Sequence, residues 1–198
     1  MAGKITNRQN IKRKVSNSKK YKDLMVRRVN KRVDEAKKRL LVKFNVHPVT
    51  RELEGGPNSS NISGLLGGYG NLFSYIGFRS GANPITAVRR LLSSIRMLTR
   101  RSRSRKKGSL MINTFMINFP NDQEIIGVSR MPWEPKSWVL GIERGIDGFG
   151  HYMSTRFKGG RSKTGVQVEN EINDVTFRTD KYLPTMLLEA ERMIRRGR

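Results

Sequence analysis

The chain has no cysteine, few acidic residues and no long apolar run. Its 198 residues include 40 Lys or Arg, 16 Asp or Glu and two His. The lack of cysteine excludes disulfides and thiolate metal sites. No stretch reaches the ~18 consecutive apolar residues that indicate a transmembrane helix. The N-terminus is basic but lacks the apolar core of a secretory signal. The sequence therefore predicts neither a membrane-spanning nor a disulfide-stabilised protein.

The excess of positive charge is large and unevenly placed. The formal net charge is +24, which is more than solubility requires and indicates an anionic partner or an assembly that neutralises it. Residues 1–46 contain 16 Lys or Arg and 3 Asp or Glu, and residues 101–108 add five basic residues and no acid. Residues 109–198 are close to balance. Contact with a polyanion is therefore expected from the first half of the chain.

The length suits one domain with an extension. Residues 1–20 have few apolar residues and no periodicity, which predicts a basic N-terminal arm. Residues 21–198 are predicted to form a single α+β domain, in which a long N-terminal helix and other helices flank an antiparallel sheet. A basic loop is predicted at 100–108, between the second helix and the sheet.

Hydrophobic periodicity predicts three helices. Apolar residues at spacings of three and four predict a long helix over 21–45. A second helix is predicted over 83–98, with Asn83 as its cap and Pro84 at its first position. A third helix is predicted over 182–196, at the end of the chain. These helices provide the apolar faces that a core requires.

Strand composition is found in several short segments. Residues 72–78 are rich in aromatic and branched side chains, which predicts a strand. A hairpin is predicted over 109–133, with its turn at 121–122. Residues 137–144 fit either a strand or a short helix. Two further strands are predicted within 159–179.

Gly64, Gly67, Gly68 and Gly70 form a cluster with two interpretations. Backbone N–H groups in such a cluster can cradle a phosphate. The order GxxGGxG, however, matches neither the GxxxxGK[ST] loop nor the GxGxxG fingerprint. The structural interpretation is that these glycines permit positive φ and close approach of chain segments.

Glu143, Asp147 and His151 are spaced by four, so on a helix they would share a face, where an acid–base or metal site is conceivable. Interleaved glycines disfavour that helix, and His47 is the only other histidine. Hydrogen-bonding roles are therefore favoured. A nuclease using Glu143, Asp147 and Glu134 is the enzymatic alternative. The favoured interpretation is a protein without enzymatic activity, cofactor or metal.

Basic residues of the arm and the loop are candidates for contact with DNA or with a partner. Both segments lack acids and aromatics, which favours contact with a phosphate backbone over base stacking. Trp133, which lies between two prolines, is a candidate interface residue, and Trp138 is a candidate core residue. The candidate contact residues are Lys12, Arg13, Lys14, Lys19, Lys20, Arg101, Arg103, Arg105, Lys106 and Lys107.

Four segments carry a resemblance to a known family. They are HPVTRELEGGPNSSNISGLLGGYGNLFSYIGF at 47–78, NPITAVRRLL at 83–92, MPWEPKSWVLGIERGIDGF at 131–149 and RSKTGVQ at 161–167. Together they resemble virion structural proteins of tailed bacteriophages that lie in the neck or at the tail end of the head–tail junction. The order of parts is also similar to the tail-completion family, and the resemblance covers roughly residues 24–194.

The resemblance implies a structural role without enzymatic activity or cofactor. It implies a ring of identical subunits around the DNA channel, most often six or twelve copies. The implied partners are other neck, portal-side or tail proteins and packaged DNA, contacted without sequence preference, and no membrane. The implied location is the virion, after assembly in the host cytoplasm. The alternative from the charge alone is a nucleic-acid-binding protein of the ribosomal type, whose basic arm folds on RNA.

Overall fold

The residues that the computed structural model describes are 15, 18–66, 70–107, 110–132, 135–144 and 179–196. Within them the chain forms seven α-helices and a two-stranded antiparallel sheet. The predicted α+β class is therefore confirmed, with a long N-terminal helix and helices that flank the sheet. Most of the predicted basic arm at 1–20, and all but the last residue of the strands predicted within 159–179, lie outside the described residues.

Helix α1, Lys19–Val46, is the long helix that the periodicity predicts. The Ser18 hydroxyl caps its first turn by accepting a hydrogen bond from the Tyr21 N–H. The helix ends before Pro48, which opens helix α2, Pro48–Glu54. Its buried side chains recur at the predicted spacings of three and four and are Val33, Ala36, Leu40 and Phe44.

A glycine-rich connection with a short 3-10 helix, Gly56–Asn58, leads from α2 to helix α3, Leu72–Ile76. The predicted strand at 72–78 is therefore wrong. The Asn71 side chain accepts a hydrogen bond from the Ser74 N–H, and Gly77 closes the turn with φ of 83°. These two caps stabilise one helical turn against the strand preference of its aromatic residues.

Helix α4, Pro84–Ser93, begins as predicted, because the Asn83 side chain accepts a hydrogen bond from the Thr86 N–H. It ends earlier than predicted, and strand β1, Arg96–Lys107, follows almost at once. The loop predicted at 100–108 is therefore wrong as far as Lys107, since this segment continues a strand.

Strand β2, Leu110–Asn118, confirms the first strand of the predicted hairpin but not its partner. It pairs antiparallel with β1, which precedes it, with Arg96 opposite Asn118 and Arg103 opposite Thr114. The register is irregular between Leu98 and Arg103.

The second strand predicted for that hairpin is instead helix α5, Asp122–Val128. Asn121 accepts a hydrogen bond from the Glu124 N–H, and the Glu124 carboxylate accepts one from the Asn121 N–H. This reciprocal capping box starts a helix at the position of the predicted turn. Helix α6, Trp138–Arg144, and helix α7, Leu183–Arg196, complete the described elements, and α7 confirms the predicted C-terminal helix.

The core is one cluster of apolar side chains to which nearly every helix contributes. Helix α7 packs along α1, and α1 also lies against α4 and β1. Aromatic rings occupy its centre: the Trp138 ring centroid is 6.1 Å from that of Tyr182 and 6.4 Å from that of Phe78. Trp138 is 1% exposed, which confirms its predicted core position.

Candidate functional sites

The structure describes part of the predicted contact set. Lys19 and Lys20 are exposed in the first turn of α1, and Arg105 is exposed on β1. Arg101, Arg103, Lys106 and Lys107 also belong to β1. The fold therefore brings the basic residues of the predicted loop into one strand. The candidates that lie outside the described residues are Lys12, Arg13, Lys14 and Trp133.

Few of the cations on α1 are neutralised by carboxylates. Asp34 lies 3.3 Å from Lys37 and Glu35 lies 4.0 Å from Lys31, and Lys43 pairs with Glu189 of α7. Pairs of this exposure add little stability. No ion pair with another described residue neutralises the remaining exposed cations of the helix, Lys19, Lys20, Lys22, Arg27, Arg28, Lys38 and Arg39.

Glu143, the described member of the candidate acid–base trio, holds the start of the C-terminal helix. Its Oε1 accepts hydrogen bonds from the Tyr182 N–H at 2.7 Å and the Thr185 N–H at 3.2 Å. N–H groups at a helix start lack partners within the helix, so a carboxylate there stabilises it. Glu143 thus stabilises the start of α7, whereas Glu134, Asp147 and His151 lie outside the described residues.

Glu52 of α2 holds the glycine-rich connection, a role that the sequence analysis missed. Its side chain is fully buried. One carboxylate oxygen accepts the Ser63 N–H at 2.8 Å, and the other accepts the Leu72 N–H at 2.7 Å. Glu52 thus fixes the middle and the end of the connection at once. The sequence places this acid two residues from the similar Glu54, which is exposed.

Asn71 and two glycines complete the connection. The Asn71 amide donates to the carbonyl oxygens of Pro57 and Ser59 at 2.7 and 2.9 Å. Gly64 and Gly70 have φ of 66° and 68°. Residues other than glycine rarely adopt this backbone conformation. The conformation of these two glycines agrees with the structural interpretation of the glycine cluster, while residues 67–69 lie outside the described part of the chain.

A second polar cluster, also missed by the sequence analysis, joins α2 to the start of α7. The His47 Nε2 lies 3.6 Å from the Asp180 carboxylate, and His47 Nδ1 accepts the Val49 N–H at 3.3 Å. Tyr182 is buried, with its hydroxyl 2.7 Å from that of Thr50, and burial raises the pKa of Tyr182 well above its usual range. The cluster therefore joins the start of α2 to residues 180–182, which are distant in sequence.

His47 makes the stability of this junction dependent on pH. Burial lowers the pKa of His47 below its ordinary value, against the opposing effects of the Asp180 charge and of a hydrogen bond with the Lys181 backbone. His47 therefore binds a proton more readily in the unfolded chain than in the folded one. Its contribution to the free energy of unfolding is fully present above about pH 6.5 and is lost as the pH decreases from there through the folded pKa. Denaturant unfolding between about pH 7 and pH 5 should show this loss.

Two asparagine variants separate His47 from other titrating groups. His47→Asn keeps an acceptor at the cap of α2 but has no titrating ring, so the pH dependence in this window should flatten. His151→Asn removes the other histidine of the chain and should leave the dependence in place. A His47→Asn protein with the wild-type pH profile would contradict the assignment.

In the described part of the chain, no group of three His, Cys, Asp or Glu side chains is arranged to hold a metal ion. Also among these residues, no helix has both the length and the apolar character needed to cross a membrane. Comparisons with protein-family models, curated proteins and solved structures gave no match for this chain.

Proposed function

We propose that the chain is a structural virion protein of a tailed bacteriophage, part of the neck or tail-completion ring at the head–tail junction. The observation that carries the proposal is the order of parts in the fold. A long helix comes first, followed by a glycine-rich segment, a small sheet and a C-terminal helix that packs back on the long helix. This is the order that the resemblance implies for the tail-completion family.

The use of the polar side chains also supports a structural role. Glu143 and Glu52 both accept hydrogen bonds from backbone N–H groups of distant segments. His47 caps α2 and lies beside Asp180. In the described part of the chain, these groups hold distant segments together, which supports a structural role.

The proposed partners are copies of the chain in a ring of six or twelve, adjacent neck, portal-side or tail proteins, and packaged DNA. Closed rings of identical subunits are formed by heterologous contacts between neighbours. Trp133 remains the predicted interface residue. The arm at 1–20, which lacks apolar residues for a core of its own, is proposed to lie on a neighbouring subunit or on DNA.

Quantitative mass spectrometry of nuclease-treated, gradient-purified particles tests this function. We expect a fixed number of copies per particle, near six or twelve, with the protein located in the virion after assembly in the host cytoplasm. Absence from the particles would contradict the proposal. Co-sedimentation with ribosomes in a parallel gradient would instead support the nucleic-acid-binding alternative of the ribosomal type.

A further inference from the structure

The two most basic elements of the fold are far apart in sequence but lie against each other. Helix α1 contains 11 Lys or Arg and 3 Asp or Glu. Strand β1 contains 7 basic residues and no acid, and its partner β2 contains no charged residue. Helix α1 packs against β1, so the fold places the two most basic elements side by side. We call α1 together with the β1–β2 hairpin the basic surface.

Among the described residues, three ion pairs neutralise cations of helix α1. Asp34 and Glu35 each pair with a lysine of their own helix, and Glu189 pairs with Lys43 near the other end of α1. Like charges held together repel, so an arrangement of this kind favours the binding of an external polyanion. A polyanion that covered both elements would release the counterions gathered there, which is a strong and salt-dependent driving force.

We propose that the basic surface binds the phosphate backbone of double-stranded DNA. A duplex carries one negative charge per ~1.7 Å of its axis, a density that suits elements basic along their whole length. Helix α1 of 28 residues is about 42 Å long at ~1.5 Å per residue. It therefore presents its cations over a distance that spans more than one turn of a duplex, whose pitch is about 34 Å.

The composition of the surface favours a duplex over a single strand. Proteins that hold single strands stack bases on aromatic side chains. Strand β1 has no aromatic residue, Phe44 of α1 is buried, and Tyr21 of α1 and Phe115 of β2 are only half-exposed. An α-helix and a two-stranded ribbon are also the elements that the major groove of B-form DNA admits, whereas that of duplex RNA is too narrow. The choice of DNA rests in part on the proposed function.

Fluorescence anisotropy with the full chain and a short labelled DNA duplex tests the proposal over a range of KCl concentrations. We expect the logarithm of the affinity to fall steeply and linearly with the logarithm of the salt concentration, by about 0.9 for each phosphate contacted. Unlabelled single-stranded DNA, duplex RNA and polyglutamate serve as competitors and should displace the duplex less well than unlabelled duplex DNA.

Two triple variants each remove three charges from one half of the basic surface. One carries Lys20→Gln, Arg27→Gln and Lys38→Gln on α1, and the other carries Arg101→Gln, Arg103→Gln and Arg105→Gln on β1. Each should weaken DNA binding about tenfold or more at moderate salt. Each should also reduce the slope of the logarithm of affinity against the logarithm of salt concentration by about two to three, because three phosphate contacts are lost. Circular dichroism establishes that each variant is folded.

A control variant removes the same charge elsewhere. Arg79, Arg130 and Arg144 are exposed and lie outside α1, the hairpin and the helix α7 that packs along α1, and they are replaced together by Gln. This variant should retain most of the affinity. Equal losses in all three variants would mean that only net charge matters and would overturn the proposal. So would a preference for a competitor, or binding that is unaffected by both surface variants.

The outcome is separable from that of the virion role. The binding experiment uses purified protein and DNA, whereas the copy number is counted in purified particles. A chain that is present in particles at fixed copy number but does not bind duplex DNA would refute the basic surface alone. A chain that binds duplex DNA through this surface but is absent from particles would refute the virion role alone.

Discussion

Replacing Glu52 with Ala is expected to lower the free energy of unfolding by about 3–5 kcal/mol. The substitution leaves the Ser63 and Leu72 N–H groups without the carboxylate oxygens that accept from them at 2.8 and 2.7 Å. It also leaves a cavity, because Glu52 is fully buried. Since domains are stable by only about 5–15 kcal/mol, this one change should remove a large part of the total. Urea denaturation measures it.

Glu54→Ala is the matched control. Glu54 is exposed and pairs with Arg89 at 2.9 Å, so its loss should cost about 1 kcal/mol or less. Glu52→Gln should fall between the two, because the amide keeps one acceptor oxygen but places its NH₂ group against the other backbone N–H. Equal effects of the Glu52 and Glu54 substitutions would show that the carboxylate does not hold the connection.

The second large effect is expected for Trp138. Its ring is buried against Tyr182 and Phe78 at the centre of the core. Trp138→Ala leaves a cavity that the surrounding rings fill only in part, so it should cost about 3–5 kcal/mol. For a domain of this size, that loss lowers Tm by roughly 2–4 °C per kcal/mol. Thermal unfolding followed by circular dichroism measures the change.

Trp133 offers the contrasting case, since the sequence predicts an interface role for it. Trp133→Ala should leave the free energy of unfolding of the isolated chain nearly unchanged and should lower incorporation into particles. Trp138→Phe, which preserves most of the apolar volume, should cost less than Trp138→Ala. If Trp133→Ala destabilised the isolated chain as much as Trp138→Ala, the division into a core and an interface tryptophan would be wrong.

The sequence analysis predicted the helices that have a long hydrophobic repeat, but it did not predict the short helices α3 and α5, which depend on their caps. The apolar spacing along α1 extends over many turns, so no local preference competes with it. Helix α3 has only five residues, and its aromatic residues favour a strand until Asn71 and Gly77 are recognised as its caps. Helix α5 could have been found, because Asn121 and Glu124 have the spacing of a capping box.

The basic segment shows a different source of error. The alternation Arg-Ser-Arg-Ser-Arg at 101–105 has the period of two that a strand requires, but its charge suggested a loop. The polar clusters around Glu52 and His47 were not predicted from the sequence for another reason. Nothing in the sequence distinguishes buried Glu52 from exposed Glu54, or pairs His47 with Asp180, because those roles depend on tertiary contacts over long separations.

The bonds between the end of α6 and the start of α7 have a consequence for how the chain can vary. The Asp180 N–H donates to the Ile142 carbonyl oxygen at 3.1 Å, and Glu143 accepts from the Tyr182 N–H. The two residues that flank the interval 145–178 most closely in these bonds, Glu143 and Asp180, are therefore held at one junction by contacts among the described residues themselves. Loop-closure entropy changes by only ~0.6 kcal/mol for each doubling of the length of the joining segment. A change in the length of that interval is therefore expected to alter the entropy of closing this junction by about that amount or less.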